Sequence, residues 1–142
     1  MIIKTRQFGR VEVDEARIIT MSKGMPGFPG MKRFTLLSHE EMDPFLTFQC
    51  VDDPDLAFAL MDPFLFLEAY PLDIDGTVRE MGWLVKKPEE LFVYAIVNAS
   101  GDNPDEITAN LAGPILVHTG IHEAVQMVIP YEKFSHKHPI FG

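Results

Sequence analysis

The residues best placed to do chemistry lie in the stretch VDDPDLAFALMDPFLF, Val51 to Phe66. Asp52, Asp53 and Asp55 fall within four residues, and Asp62 follows after six apolar residues. Carboxylates so close together are a donor set for a hard cation. Yet Pro54 sits among them, and Asp-Pro starts turns. The stretch also lacks the glycine offset and the downstream Glu of a calcium loop. General acid and base work needs carboxylates whose environments differ, whereas three acids on one turn share a solvated setting. Turn chemistry with acid left at the surface is the favoured reading. A metal-dependent hydrolase using Asp52, Asp53 and histidines is the alternative.

Histidines supply the other candidates. His136 and His138 would share one face of an extended chain, and His118 and His122 flank Thr119-Gly120. Either pair needs a third ligand to hold a transition metal, and no HExxH or Cys partner accompanies them. No cofactor is implied. Cys50, the only cysteine, lies in an apolar run and reads as a buried, inert thiol. No nucleophile elbow or Ser-His-Asp order occurs, and the GMPGF loop lacks P-loop spacing.

Charge bounds the partners. Twenty-one acids face twelve bases, a formal charge of −9. Such a surface repels phosphate backbones, so direct nucleic-acid binding is not expected, and it attracts basic protein surfaces. The sequence shows neither a signal peptide nor an apolar run long enough for a bilayer. A soluble chain in a reducing, cytoplasmic setting is expected.

The elements that must carry these residues are short, because glycine and proline recur throughout. Strands are expected at Ile2–Phe8, Val11–Asp14 after a Gly9-Arg10 turn, Ile18–Met21, Arg33–Leu37, Phe45–Val51 and Leu56–Met61. Lys23–Gly30 is a loop. The methionines around it cap one end of the core or form an adaptable partner surface. Asp75–Gly82 carries helix start and stop signals. Leu91–Val97 reads as a central strand buried on both faces. Ile107–Leu111, Ile115–His118 and Ala124–Ile129 follow, the last two joined by a hairpin at Thr119-Gly120. Asp102–Glu106 reads as a further acidic turn. The 142 residues suit one domain. The expected class is all-β: a small, barrel-like antiparallel sheet with one short helix.

Several motifs recur together: FGRVEVDE (Phe8 to Glu15), GMPGF (Gly24 to Phe28), VDDPDLAF (Val51 to Phe58), DPFLF (Asp62 to Phe66), ITANLAGPI (Ile107 to Ile115) and HPIF (His138 to Phe141). In this order they resemble the flagellar assembly factor FliW family over nearly the whole chain. The resemblance implies a β-barrel-like fold and a non-enzymatic role in the cytoplasm. It implies two protein partners, flagellin and the RNA-binding repressor CsrA, whose repression of flagellin translation would be relieved by non-competitive binding. No membrane is involved. On that reading Asp52, Asp53, Asp55, Asp62 and Glu68 form an acidic contact face. Asn110, in an apolar context, is expected to hydrogen-bond backbone, with partner recognition as the alternative. Phe64 is the candidate apolar anchor. Alternation along a strand would put Phe64 and Phe66 on one face, with core the favoured place for both.

Overall fold

The computed structural model describes residues 1–99, 106–130 and 132–140. Ten strands and one α-helix carry the chain: β1 (Ile2–Thr5), β2 (Gly9–Glu12), β3 (Ile19–Thr20), β4 (Arg33–Ser38), β5 (Leu46–Cys50), β6 (Ala57–Met61), α1 (Ile74–Met81), β7 (Leu91–Ala99), β8 (Ile107–His118), β9 (Glu123–Gln126) and β10 (His138–Pro139). Strands β3 to β9 close on themselves in the order β3-β4-β5-β6-β7-β8-β9, and β9 returns to β3. β10 adds beside β8, while β1 and β2 form a separate hairpin. The mainly-β barrel with one helix is as expected. The antiparallel rule has one exception: β3 meets β9 in parallel, with Thr20 opposite Glu123. No helix among the described residues is long and apolar enough to cross a membrane.

The barrel interior is filled by Phe34, Phe48, Leu60, Ile115 and Val117, with Met21, Met25 and Cys50 alongside. Phe34 and Phe48 stack with centroids 4.5 Å apart. Large side chains thus fill a small barrel, as its strand number requires. Of the two readings of the methionines, Met21 and Met25 follow the core one. Three smaller apolar clusters lie outside. Ile3 and Val13 of the hairpin region pack on Leu37. Ile74, Val78 and Met81 of α1 cover Trp83, Leu116 and Val125. Tyr70 seals Ala95, Ala109 and Leu111.

Several boundaries differ from expectation for local reasons. The first turn is Arg6–Phe8, because the Thr5 hydroxyl accepts from Phe8 N–H and donates to Gly9 C=O. Gly9 and Arg10 therefore begin β2. The helix starts one residue earlier than expected, and its capping aspartate lies two residues earlier. Asp73, rather than Asp75, accepts from Gly76 N–H, and Gly82 ends the helix at φ 68°. β7 is buried on both faces only at Ala95–Val97; Phe92 is exposed. The run between the two Asp-Pro pairs is not all core, since Ala57 and Ala59 face outward while Leu60 and Met61 are buried. β10 carries no sequence signal of its own. The acidic turn expected at 102–106 lies outside the described residues except for Glu106.

The two strands expected at Ile107–Leu111 and Ile115–His118 are one, β8. Its pairing with β7 jumps from Ile96 opposite Asn110 to Tyr94 opposite Ile115. The extra residues form a bulge around Gly113-Pro114, where proline is tolerated in a sheet.

Tyr70 joins the outer layer to this strand: its buried hydroxyl donates to Leu111 C=O. Burial pushes the Tyr70 phenol well above its ordinary value. Replacing Tyr70 by Phe should cost about 1–2 kcal/mol at neutral pH in chemical denaturation, since a buried acceptor loses its donor. Above about pH 10 the unfolded chain ionises at this tyrosine before the folded one, so wild-type stability should fall as pH rises. Tyr70→Phe should make that fall shallower.

Candidate functional site

The aspartate loop is built around a residue the sequence did not single out. On β5, Phe48 and Cys50 point into the barrel, so Gln49 points out. It is nevertheless 1% exposed, because residues 51–56 fold over it. Its Nε2 lies 3.1–3.4 Å from the carbonyls of Cys50, Asp53, Pro54 and Leu56. Two amide hydrogens shared among four carbonyls hold the loop to the sheet from within. A polar side chain in the otherwise apolar run LTFQC was the available signal.

Each aspartate then has a distinct place. Asp52 pairs with Arg33 through two hydrogen bonds, Nε to Oδ2 at 3.1 Å and Nη2 to Oδ1. The Arg33 hydrogen bonds hold the Asp52 carboxyl below its usual range, and Asp52 raises Arg33 in turn. Both are exposed, so this pair orients more than it stabilises. Asp53 Oδ1 accepts from Asp55 N–H at 2.9 Å, closing the turn. Asp55 is exposed. The loop is also tied to the hairpin, where Arg6 N–H donates to Pro54 C=O.

Asp62 lies elsewhere. Leu46 pairs with Leu60, and Ser38 with Leu46. The end of β6 therefore sits beside the β4–β5 turn, and the Asp52–Asp55 loop is at the opposite end of the strand. Five strand residues span about 17 Å. Asp62 thus joins the end that carries Glu40, Glu41 and Asp43, the exposed Glu68 follows six residues on in the chain, and the expected face divides into two acidic groups. Between Arg33 and Arg79 there is no Lys or Arg and there are ten acids, so both groups are uncompensated by bases on their own segment.

Phe64 corrects a second expectation. Asp62 Oδ1 caps a short 3-10 turn, Pro63–Leu65, so strand alternation does not apply. Phe64 is 53% exposed, while Phe66 packs inward against His138. Leu65 is exposed beside Phe64. Asn110 joins neither acidic group. Its Oδ1 accepts from Ala112 N–H, and it lines a groove with Pro26 and Gln126.

The histidines do not converge. Gly120 N–H donates to His118 Nδ1, so Nε2 carries the proton that meets Leu84 C=O at 2.9 Å. Both ring nitrogens are occupied. His122 is held at φ 53° and lines a separate cavity with Glu12 and Asp14. Among the described residues no three His, Cys, Asp or Glu side chains stand together as a metal site.

The geometry is that of a small closed barrel presenting rigid, acidic loops. A sequence model of the FliW protein family matches residues 2–140. The flagellar assembly factor FliW of Bacillus velezensis is 36% identical over 143 aligned positions, covering 100% of this chain and 98% of that protein. That of Moorella thermoacetica is 30% identical over 99% of this chain and 89% of its own length. A crystal structure of the flagellar assembly factor FliW superposes with a TM-score of 0.89 at 30% identity, covering 100% of this chain and 98% of that one. The chain belongs to the FliW family of flagellar assembly factors.

Gln49→Leu should keep the barrel and loosen the loop. The carbonyls of Asp53, Pro54 and Leu56 keep backbone partners, so about 1–2 kcal/mol of stability should be lost in denaturant titration. Amide exchange should quicken at Asp52–Leu56 and stay unchanged in β7 and β8.

Proposed function

We propose that this protein is a non-enzymatic regulator that binds unexported flagellin in the cytoplasm and, when free of it, binds CsrA. Its membership of an assembly-factor family supports the flagellar role. The observation that carries the CsrA reading is the preorganised loop of Asp52, Asp53 and Asp55 on a chain of charge −9. An RNA-binding repressor must present basic surface to phosphate, and fixed carboxylates attract such a surface without first having to be ordered. Gln49 and the Asp53 turn supply that order. The loop's role is steering and rim ion pairs, which set the rate of encounter more than the final affinity.

Antagonism on this reading is non-competitive. An acidic body docked beside the RNA path raises the local negative potential and disfavours phosphate without covering the bases. Phe64 and Leu65, at the other end of β6, are the exposed apolar pair available as an anchor. Flagellin and CsrA then need not use one surface, since the acid is divided.

The test is calorimetry with CsrA and a variant that removes charge but keeps the turn. Asp53→Asn with Asp55→Asn preserves the Oδ1 that accepts from Asp55 N–H. Affinity should fall about tenfold, and its dependence on salt should flatten, as expected for two rim charges. Equal affinity and equal salt slope would remove this loop from the interface. Asp62→Asn, at the opposite end, keeps the Oδ1 that accepts from Phe64 N–H and reports the second acidic group in the same way.

A further inference from the structure

The barrel closes at one point. β9 touches β3 only where Thr20 faces Glu123, and among the described residues no strand runs along that side of β9 beyond it. The chain nonetheless continues as a strand past Gln126. Met127 N–H donates to Pro114 C=O and Ile129 N–H to Ala112 C=O, both at 2.8 Å. Alternate residues face alternate sides in such a ladder, so Val128 turns its N–H and C=O away from β8. Among the described residues neither group meets a hydrogen-bond partner. Val128 is 84% exposed, the most of any large apolar residue among those described.

Two grooves flank this edge. One, about 480 Å³, is lined by Pro26, Asn110, Gly113, Gln126 and Ile129 and, among the described residues, has no ionised side chain in its wall. The other, about 490 Å³, runs toward Leu72, Met81 and Phe134 and carries Lys23, Asp73, Glu80 and Lys133 in its wall. Two amides stand in the first groove. Asn110 uses Oδ1 on Ala112 N–H, and Gln126 uses Nε2 on Gly113 C=O. Among the described residues, Asn110 Nδ2 and Gln126 Oε1 remain as a donor and an acceptor without partners. Gly113 keeps them close: a Cβ there would lie 2.5 Å from Gln126 Nε2.

We propose that the Gln126–Pro130 edge is a docking site for an extended segment of a partner protein, added as a short strand with uncharged side chains toward the first groove. The segment's backbone would pair with Val128 N–H and C=O, and a peptide group would meet the Asn110 and Gln126 amides. Its side chains would alternate between the two grooves, the arrangement of strand addition. Pro130 limits the edge to a short run, as natural edges require. This surface is distinct from the acidic loops and takes a partner of different chemistry. Taking the segment from flagellin rests on the flagellin half of the proposed function.

The probes are intact flagellin and overlapping peptides tiled along it, titrated into isotopically labelled protein. A subset of β-prone peptides with uncharged residues at alternate positions should shift the amide signals of Gln126, Val128 and Ile129 and the side-chain amides of Asn110 and Gln126. Val128→Pro, which removes one donor and bends the edge, should weaken that binding about tenfold; Val128→Thr, which keeps the donor, should not. Thermal unfolding of each variant checks the fold, and the shift map on the wild-type protein needs no variant. Intact flagellin binding equally to wild type and Val128→Pro, with no peptide shifting these signals, overturns the inference and leaves the proposed function standing. Failure of intact flagellin to bind at all removes both. Concentration-dependent self-association lost in Val128→Pro would assign the edge to a second copy and also overturn the inference.

Discussion

The bulge in β8 is the constraint on which the rest of the architecture depends. Before it, Ala109 and Leu111 belong to the outer cluster under Tyr70. After it, Ile115 and Val117 belong to the barrel interior. In an unbroken strand these odd-numbered positions would share one face. The residues around Gly113-Pro114 reverse that parity, so a single strand serves two cores. They also divide its second edge. The first half pairs with β10 through Thr108 and Ala109, and the second half pairs with β9 from Ile115 onward. Barrel closure, the seat for the C-terminal segment and the groove beside Val128 all follow from one local irregularity.

Buried polar side chains do a related job at the barrel's outer surface. Gln49, Tyr70 and His118 each reach from a strand or covering segment to a backbone carbonyl across the layer. Each ties a loop that apolar contact alone would leave free to slide. A buried polar group without a partner is costly, so such a side chain admits few loop conformations. That is how a chain with short strands and many turns keeps its loops in fixed places, and fixed loops are what a binding protein has to offer.

Much of this was legible in the sequence because the relevant signals are local. Asp-Pro marked both turns around β6, alternation marked a strand at Val11–Asp14 that overlaps β2, and Gly82 marked the end of α1. The failures share a different cause. Gly113-Pro114 reads as a break, since local chemistry cannot show that β7 and β9 hold the chain in register on either side. Phe64 and Phe66 read as strand neighbours, since nothing in DPFLF announces that Asp62 caps its own backbone. Arg33 and Asp52 are nineteen residues apart, and their pairing exists only because β4 and β5 are adjacent. The aspartates were recognisable as a group in sequence, but grouping along a chain is not grouping in space. A five-residue strand was enough to carry Asp62 to the other end of the sheet.

That separation changes what the charge can do. A single acidic face would act as one dipolar end, with every basic partner drawn to the same place. Here the acids of the 40–62 segment stand at both ends of the β5–β6 hairpin, and the groove by Asn110, Gln126 and Val128 lies by the β8–β9 pair. Over distances of this order, charges in physiological salt are screened to weak interaction, because the Debye length is about 8 Å. The two acidic groups therefore behave as separate electrostatic sites. Occupation of one leaves the potential at the other nearly unchanged. Exclusion of one partner by another would then have to arise from bulk or from a shift in loop structure, and not from charge neutralisation. The rigid attachment of the Asp52–Asp55 loop through Gln49 disfavours the second route. Steric overlap between large partners around a small barrel is the simpler physical basis for exchange.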